Sequence, residues 1–313
     1  MLEIIIARNR LRERIRELFF KWDFTEVETP LLTPYCNPDD NVENAEVLFK
    51  DFRGRELRWY LHTSPEFFMK RLVAAGMERI FQICRVFRSS ELTPLHQVEF
   101  TMVEWYRVGE DFKRGMEETE EIVRAGAEEF GVKEVAFRGK RANLSKFERL
   151  TVKEAFLEFA AVNPFEREEV KRVAGEEDYE TAFFRLLVEK VEPGLSELPH
   201  PVFLYGYPEE FSAMAVVKEG VAERFELYIA GVEIANGYTE LTDYESYLKK
   251  FKEKGECAVD RGFLNLLQEK PLPPCEGVAL GFDRLLMLLT GRESIEEVIP
   301  FPTSRLIRES SSS

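Results

Sequence analysis

The chain has 313 residues, with 43 Lys or Arg against 58 Asp or Glu, a formal net charge of −15. That balance argues against broad electrostatic binding of nucleic acid, where affinity comes largely from Lys and Arg on phosphates, though it leaves room for a local basic groove. Apolar residues at 44%, including 26 Phe, supply a large core, and no apolar run nears the roughly 18 residues of a membrane helix.

In chain order, Leu11, Ile15, Leu18, Phe19 and Trp22 recur at three- and four-residue steps and predict a helix. Met1-Leu-Glu-Ile-Ile-Ile is too short for a signal peptide, so a cytoplasmic protein with no membrane association is expected. Phe24 to Pro30 is a short alternating segment stopped by proline, followed by loop residues Pro34, Asn37, Pro38 and Asp39. Trp59 to His62 reads as a strand. Ser64 and Pro65 then read as the cap and first position of a helix that turns Phe68, Leu72 and Val73 inward. Ile80–Phe87 and Glu99–Arg107 are predicted strands joined by the loop Ser89–Val98, and Glu117–Phe130 an amphipathic helix. Thr151-Val-Lys-Glu154 is a capping box. A second helix runs from about Tyr179 to Val191 and should stop at Pro193-Gly194. Strands return at Val202–Tyr207 and from Phe225, Phe282–Leu289 reads as a final apolar helix, and Ser310–Ser313 as a frayed end. Strands around a helical insert predict a mixed, mostly antiparallel α+β fold. Cys36, Cys84, Cys257 and Cys275 share no CxxC spacing, and His62, His96 and His200 lie far apart, so four free thiols are expected.

Three segments carry chemistry. In Phe225 to Glu240, alternation around a turn at Ala230-Gly231 sets Tyr228 opposite Glu233 and Glu226 opposite Ala235. The two glutamates then share a sheet face roughly 7–8 Å apart, a hard-oxygen pair suited to Mg²⁺, although ordinary glutamates on a solvated face give the same pattern. Asn236, Tyr238 and Glu240 join that face only through a bulge, which Asn236-Gly237 could provide. In Phe87 to Arg107, Arg88 can neutralise a phosphate and Phe100 can stack on a base; the alternative is a cross-strand ion pair above a core Phe. In Gly277 to Leu289, Arg284 beside an apolar helix needs a partner, either a ligand or Asp283. No GxxxxGK[ST] or GxGxxG loop is present.

Taken in order, these segments resemble the three motifs of class II aminoacyl-tRNA synthetases: Phe24–Pro30 motif 1, Phe87–Arg107 motif 2 and Gly277–Leu289 motif 3. Thr63 to Leu72 and Glu233 to Glu240 are similar to the lysyl-tRNA synthetase catalytic domain. A catalytic domain beginning at residue 1, and Ala279 where those synthetases usually have glycine, resemble the GenX/PoxA (EpmA) family, which joins (R)-β-lysine to a lysine of elongation factor P. The resemblance implies a class II catalytic domain, a mostly antiparallel sheet flanked by helices. It would span 1–313 as one domain, with a small helical insertion about 140–200 and no anticodon-binding domain.

It also implies roles. Arg88 would hold the ATP α-phosphate and the substrate carboxylate. Phe100 would stack on adenine with Arg284 on the far side and the γ-phosphate, and His96 and Glu91 belong to the loop over ATP. Glu226 and Glu233 would bind Mg²⁺, with Glu226 also facing ATP. Glu66 would take the amino group near the carboxylate, Asn236 the carboxylate, and Glu240 and Tyr106 the ε-ammonium with Glu104 nearby. Ala279 adds a methyl to the pocket, a change worth about 1–3 kcal/mol. The implied cofactors are ATP and Mg²⁺. The implied partners are lysine or β-lysine, elongation factor P as acceptor and a second copy of the chain, with tRNA disfavoured. Ser90 stands where the motif 2 acid usually lies, with Glu91 one later, and Thr93-Pro94-Leu95 replaces the usual Gly and Arg. The alternatives are a free-standing lysine ligase with another acceptor (tRNA, a free amino acid or ammonia) and a binding protein that kept the fold without catalysis.

Overall fold

A computed structural model describes residues 1–38, 42–89, 91–253, 255, 257 and 259–311. Asp39, Ser90 and the last two serines lie outside the described residues. The main sheet follows the order Thr25–Glu26, Arg79–Phe87, Glu99–Val108, Cys275–Gly281, Val232–Thr239, Val221–Ile229, Val202–Pro208, Glu148–Thr151, with Val217–Lys218 paired onto Val221–Ile229. Pairing is antiparallel except at the two ends of this path, where Thr25–Glu26 joins Arg79–Phe87 and Glu148–Thr151 joins Val202–Pro208 in parallel. The expected α+β fold with a mostly antiparallel sheet is the one observed. Among the described residues no helix is long and apolar enough to cross a membrane.

One face of the sheet packs on helices Leu2–Lys21, Phe112–Phe130 and Phe282–Leu289. Alternation explains the choice of face: Phe225, Leu227 and Ile229 point into this core and are fully buried. The helical stripe of Leu11, Ile15 and Phe19 joins the same core, with Phe19 stacked on Phe81 at 4.3 Å between ring centres. A second core lies under helices Val152–Phe159, Arg167–Ala174 and Tyr179–Leu186, where Phe183 stacks on Phe156 at 4.7 Å and on Phe211 at 4.0 Å. The expected capping box at Thr151 is formed.

Several boundaries differ from the sequence reading. The segment 140–200 opens with strands Lys140–Asn143 and Glu148–Thr151, and its helices fill 152–196. The Tyr179 helix widens to a π turn at Leu187–Val191 and continues through Pro193-Gly194 to Ser196. Pro193 stands at the start of the resumed α-helix, where its fixed φ suits the helical backbone. Phe282–Leu289 is not the last helix, since Thr303–Ser310 follows and includes the serine expected to fray. The Glu66–Ala74 helix buries Met69, Lys70 and Val73, leaving Phe68 and Leu72 half-buried. The N-cap is Pro65 rather than the expected Ser64, whose Oγ accepts the Glu66 N–H at 3.0 Å from one residue further out.

The expectation of four free thiols holds only for Cys84 and Cys275; a disulfide joins Cys36 to Cys257 across 221 positions. The loop after strand Leu32–Thr33 meets the segment after helix Tyr244–Glu253, and spacing in sequence carries no trace of that approach.

Glu276 is fully buried on the helix-facing side of the sheet, next to the equally buried Glu118. Glu118 is satisfied by Trp105 Nε1 at 2.9 Å and an ion pair with Arg107, whereas neither Glu276 oxygen meets a donor. Burial, then the Glu118 charge, raise Glu276 well above the usual carboxylate range, so the folded protein keeps its proton. The unfolded chain releases that proton above about pH 4.3, so stability falls as pH rises from there toward the folded value. Glu276→Gln removes this loss. Its melting temperature should match the native protein near pH 5 and exceed it by a few degrees (about 2 °C per kcal/mol) near pH 8 in calorimetry; a gap that does not widen with pH would show Glu276 ionised.

Candidate active site

The opposite face of the sheet is built by register. Ala230 and Gly231 take φ values of 50° and 79° and close the hairpin between Val221–Ile229 and Val232–Thr239. Tyr228 pairs with Glu233, as alternation requires. Ile234 is then an extra residue, so Leu227 faces Ala235 and Glu226 faces Asn236. The bulge therefore lies at Ile234, two residues before the expected place, and Glu226 is opposite Asn236 rather than Ala235. Its effect is to bring Glu226, Tyr228, Glu233, Asn236 and Tyr238 onto one face. Gly237 has a different job: a Cβ there would lie 2.6 Å from Phe225 Cε1 on the core side.

Two cross-strand rows follow. Glu226, Asn236, Ala279 and Glu104 stand side by side across four strands, and Arg224, Tyr238, Gly277 and Tyr106 form the next row. A Cβ on Gly277 would strike Glu240 Oε1 and lie 2.5 Å from Tyr106 Cε1, so only glycine leaves the hollow between them.

At one end of this hollow carboxylates collect. Glu104 accepts from Tyr106 Oη at 2.7 Å and from Ser64 Oγ at 2.7 Å. Burial, then the charge on Glu66, push Glu104 up to about 7. Glu240 is buried, and Lys70 Nζ lies 2.6 Å from its Oε2 and 2.6 Å from Glu66 Oε1. The Glu66 contact is an aligned hydrogen bond. The Glu240 contact is an ion pair off the hydrogen-bond axis, so both Glu240 oxygens lack an aligned donor. Burial lifts the Glu240 carboxyl and Lys70 opposes the rise.

At the other end lie cations and an aromatic ring. Arg88 Cζ stands 5.3 Å from the centre of Phe100, and Arg88 Nη1 is 3.5 Å from Glu91. The cross-strand ion pair considered above belongs to Arg85 and Glu99, at 3.5 Å, which leaves Arg88 facing the cavity. Arg284 does not pair with Asp283. Asp283 is taken by Arg8 and by the Thr101 N–H at 2.6 Å. Arg284 donates to the Glu233 carbonyl at 3.0 Å and to the Leu95 carbonyl at 3.3 Å, and lies 2.5 Å from His96 Nε2. Burial and then Arg284 depress His96, so its Nε2 accepts and Nδ1 bonds Thr93 Oγ1 at 2.8 Å. Glu226 receives Tyr207 and Tyr228 hydroxyls at 2.7 Å each and Arg224 Nη2 at 2.5 Å.

Arg88, Arg284, Glu66, Glu104, Tyr106, Asn236, Glu240, Ala279, Glu91, His96, Phe100, Glu226 and Glu233 all line one cavity of about 720 Å³. That size holds a nucleotide together with an amino acid. Sequence reasoning missed Lys70, Tyr207, Tyr228 and Arg224. Only Lys70 left a signal, its four-residue spacing from Glu66. Among the described residues no three His, Cys, Asp or Glu side chains converge to hold a metal unaided. Glu226 and the half-exposed Glu233 therefore fit a hard cation that takes its remaining ligands from phosphate and water, the usual state of Mg²⁺.

Residues 1–305 match the family described as tRNA synthetases class II (D, K and N). The elongation factor P–(R)-β-lysine ligase homolog of Aquifex aeolicus is 37% identical over 306 residues, covering 94% of this chain and 98% of that protein. The elongation factor P–(R)-β-lysine ligase of Yersinia enterocolitica is 34% identical over 325 residues, covering 96% and 95%. Lysine–tRNA ligase 2 of Methanosarcina mazei is 38% identical over 327 residues, but the match spans only 62% of its length. The fold and the three motifs thus define a class II synthetase catalytic domain. Within that class the chain belongs to the GenX/PoxA family of lysyl-tRNA synthetase-like ligases, and it is an ATP-dependent enzyme.

Proposed function

We propose that the enzyme activates a lysine-class amino acid, (R)-β-lysine by preference, as its adenylate and passes the acyl group to a lysine side chain of elongation factor P. The observation that carries this reading is the polarity of the cavity. Glu66, Glu104 and Glu240 gather at one end and Arg88 and Arg284 at the other, so a diamino acid and a nucleotide meet head to head. A substrate carboxylate oxygen attacks the α-phosphorus in line and pyrophosphate leaves. The acceptor amine, having lost a proton, then attacks the acyl carbon and AMP leaves. Arg88 neutralises the charge at the α-phosphate, and Phe100 and Arg284 hold the base, so catalysis is mostly positioning and charge neutralisation. Glu226 and Glu233 would hold Mg²⁺, which would supply charge to offset the phosphates. Ala279 narrows the pocket beside Asn236 and Glu104, where the amino acid backbone would lie, and so favours an amino group on the β-carbon.

ATP–pyrophosphate exchange with α-lysine, (R)-β-lysine and other amino acids tests activation, and the masses of elongation factor P and tRNA after reaction test transfer. Exchange with lysine isomers and a mass gain on the factor are expected. No exchange with any lysine isomer would overturn the reading, and acyl transfer to tRNA would favour the second one, which the lysine–tRNA ligase relatives support. A homodimer is also expected: the motif 1 segment follows a helix on which Leu2, Ile5, Ile6 and Phe20 are exposed. Light scattering at micromolar concentration should give twice the chain mass, and a monomer would refute it.

A further inference from the structure

We infer that Lys70 is a positioning residue that sets how many positive charges the amino-acid pocket accepts. It acts as a resident ammonium behind Glu66 and Glu240 that cancels one carboxylate. The inference rests on the lysine-activating reading and adds to it a determinant that touches no substrate.

Lys70 stands one turn after Glu66 on the same helix, and its side chain has no exposed surface. Its Nζ reaches back to Glu66 Oε1 and across to Glu240 Oε2, 2.6 Å from each, and so ties the helix to the residue just after strand Val232–Thr239. The rings of Phe67, Tyr106 and Tyr247 surround it, with centres 5.8, 5.8 and 5.3 Å away. Those aromatic faces favour a cation and exclude water.

The charges then add up. Glu66, Glu104 and Glu240 carry three negative charges when ionised, and Lys70 returns one positive charge, leaving −2. A lysine-class substrate presents two ammonium groups to this end of the cavity and its carboxylate to Arg88. An amino acid with one ammonium leaves a buried carboxylate uncompensated. Without Lys70, Glu66 and Glu240 would repel each other across the pocket, and Glu240 would hold its proton to higher pH.

The groups facing Lys70 are Glu66 and Phe67 from its own helix, Tyr106 with Glu104 from strand Glu99–Val108, Tyr238 from strand Val232–Thr239, Glu240, Tyr247 from helix Tyr244–Glu253 and Cys275 from strand Cys275–Gly281. The two carboxylates keep Lys70 protonated above the ordinary lysine range despite its burial. In the native protein the acid limb of lysine activation therefore reflects the carboxyl groups that burial lifts at this end, Glu104 and Glu240, rather than Lys70.

The test uses Lys70→Gln, which keeps a donor and loses the charge, and Lys70→Arg, which keeps the charge. KM for lysine and for ATP is read from ATP–pyrophosphate exchange between pH 6 and 9, beside a thermal melt. Lys70→Gln should raise the lysine KM about 30-fold or more, the usual effect of removing one partner of a buried charge pair. It should leave the ATP KM within about twofold, move the acid limb of lysine kcat/KM to higher pH, and leave that of ATP in place; Lys70→Arg should recover most of the loss. An unchanged lysine KM in Lys70→Gln, a parallel rise in both KM values, or an Arg variant as impaired as the Gln variant would overturn the inference. Should Lys70→Gln not fold, Lys70→Arg decides: a lysine KM near the native value supports it, and lysine and ATP KM values rising together overturn it. Native protein that exchanges with neither lysine isomer removes the functional reading itself, whereas native exchange with a silent Lys70→Gln removes only the role of Lys70.

Discussion

Replacing Glu240 by Gln raises the lysine requirement of ATP–pyrophosphate exchange by about 10³-fold or more and changes the ATP requirement less than about threefold. The ratio follows from what Glu240 touches. Its carboxylate is buried at the foot of the hollow above Gly277 and meets Lys70 as an off-axis ion pair, with neither oxygen matched to an aligned donor. A bound ammonium would complete it. A site built to pair a charged group discriminates by about 10⁴–10⁵ when the pairing is lost, because the remaining polar groups stay buried and unmatched. Gln keeps the shape, so the cavity survives, but it turns an attraction for the ammonium into a mixed amide contact. The nucleotide end is formed by Arg88, Phe100 and Arg284 on other strands and the last motif, and no contact links them to Glu240. Equal changes in the two requirements would contradict the assignment. So would a Glu240→Gln enzyme that accepts lysine normally at high pH, since Gln has no proton to lose.

Arg88→Ala lowers kcat for exchange by about 10²–10³ or more, the usual cost of removing one preorganised charge from a polar transition state. Arg88 leaves the end of strand Arg79–Phe87 with its backbone N–H bonded to the Val98 carbonyl, so its origin is fixed while its guanidinium is not deeply paired. The partner it has is Glu91 at 3.5 Å, and its plane stands over Phe100. Both contacts can be exchanged for a phosphate and a base without leaving a buried charge. Arg88→Lys should recover little, because a point charge cannot serve two oxygens and stack at once. The melting temperature should hardly move in either variant. A Lys variant with native kcat would show that only charge is needed at this position.

Much of the site was legible. The turn at Ala230-Gly231, the facing of Tyr228 and Glu233, and the strands flanking the motif 2 loop follow from alternation, which local sterics enforce. The convergence of residues from four strands follows only from register, and register depended on one extra residue. Ile234 is apolar and unremarkable in sequence, so the bulge was looked for at Asn236-Gly237, where glycine in fact answers to the ring of Phe225. Arg284 and Asp283 are neighbours in sequence yet belong to different networks, because successive helical residues point about 100° apart. Lys70 received no role from the sequence. A buried lysine is seldom expected, and the carboxylate that justifies this one lies 170 positions away. The Cys36–Cys257 bond escaped for the same reason of distance.

The bulge at Ile234 also determines how this chain tolerates changes in its length. Loss of one residue between Glu233 and Ala235 would only remove the bulge and keep Leu227 opposite Ala235, whereas one residue added between Ala235 and Asn236 would turn the strand over from there onward. Asn236 and Tyr238 would then face Phe225 and the helices, and Gly237 would line the cavity. No side chain would have been altered, yet the pocket wall and the core lining would have changed places. At this hairpin, then, the count of residues matters as much as their identity, and an insertion screen would find a sharp boundary where a substitution screen finds a tolerant aliphatic position.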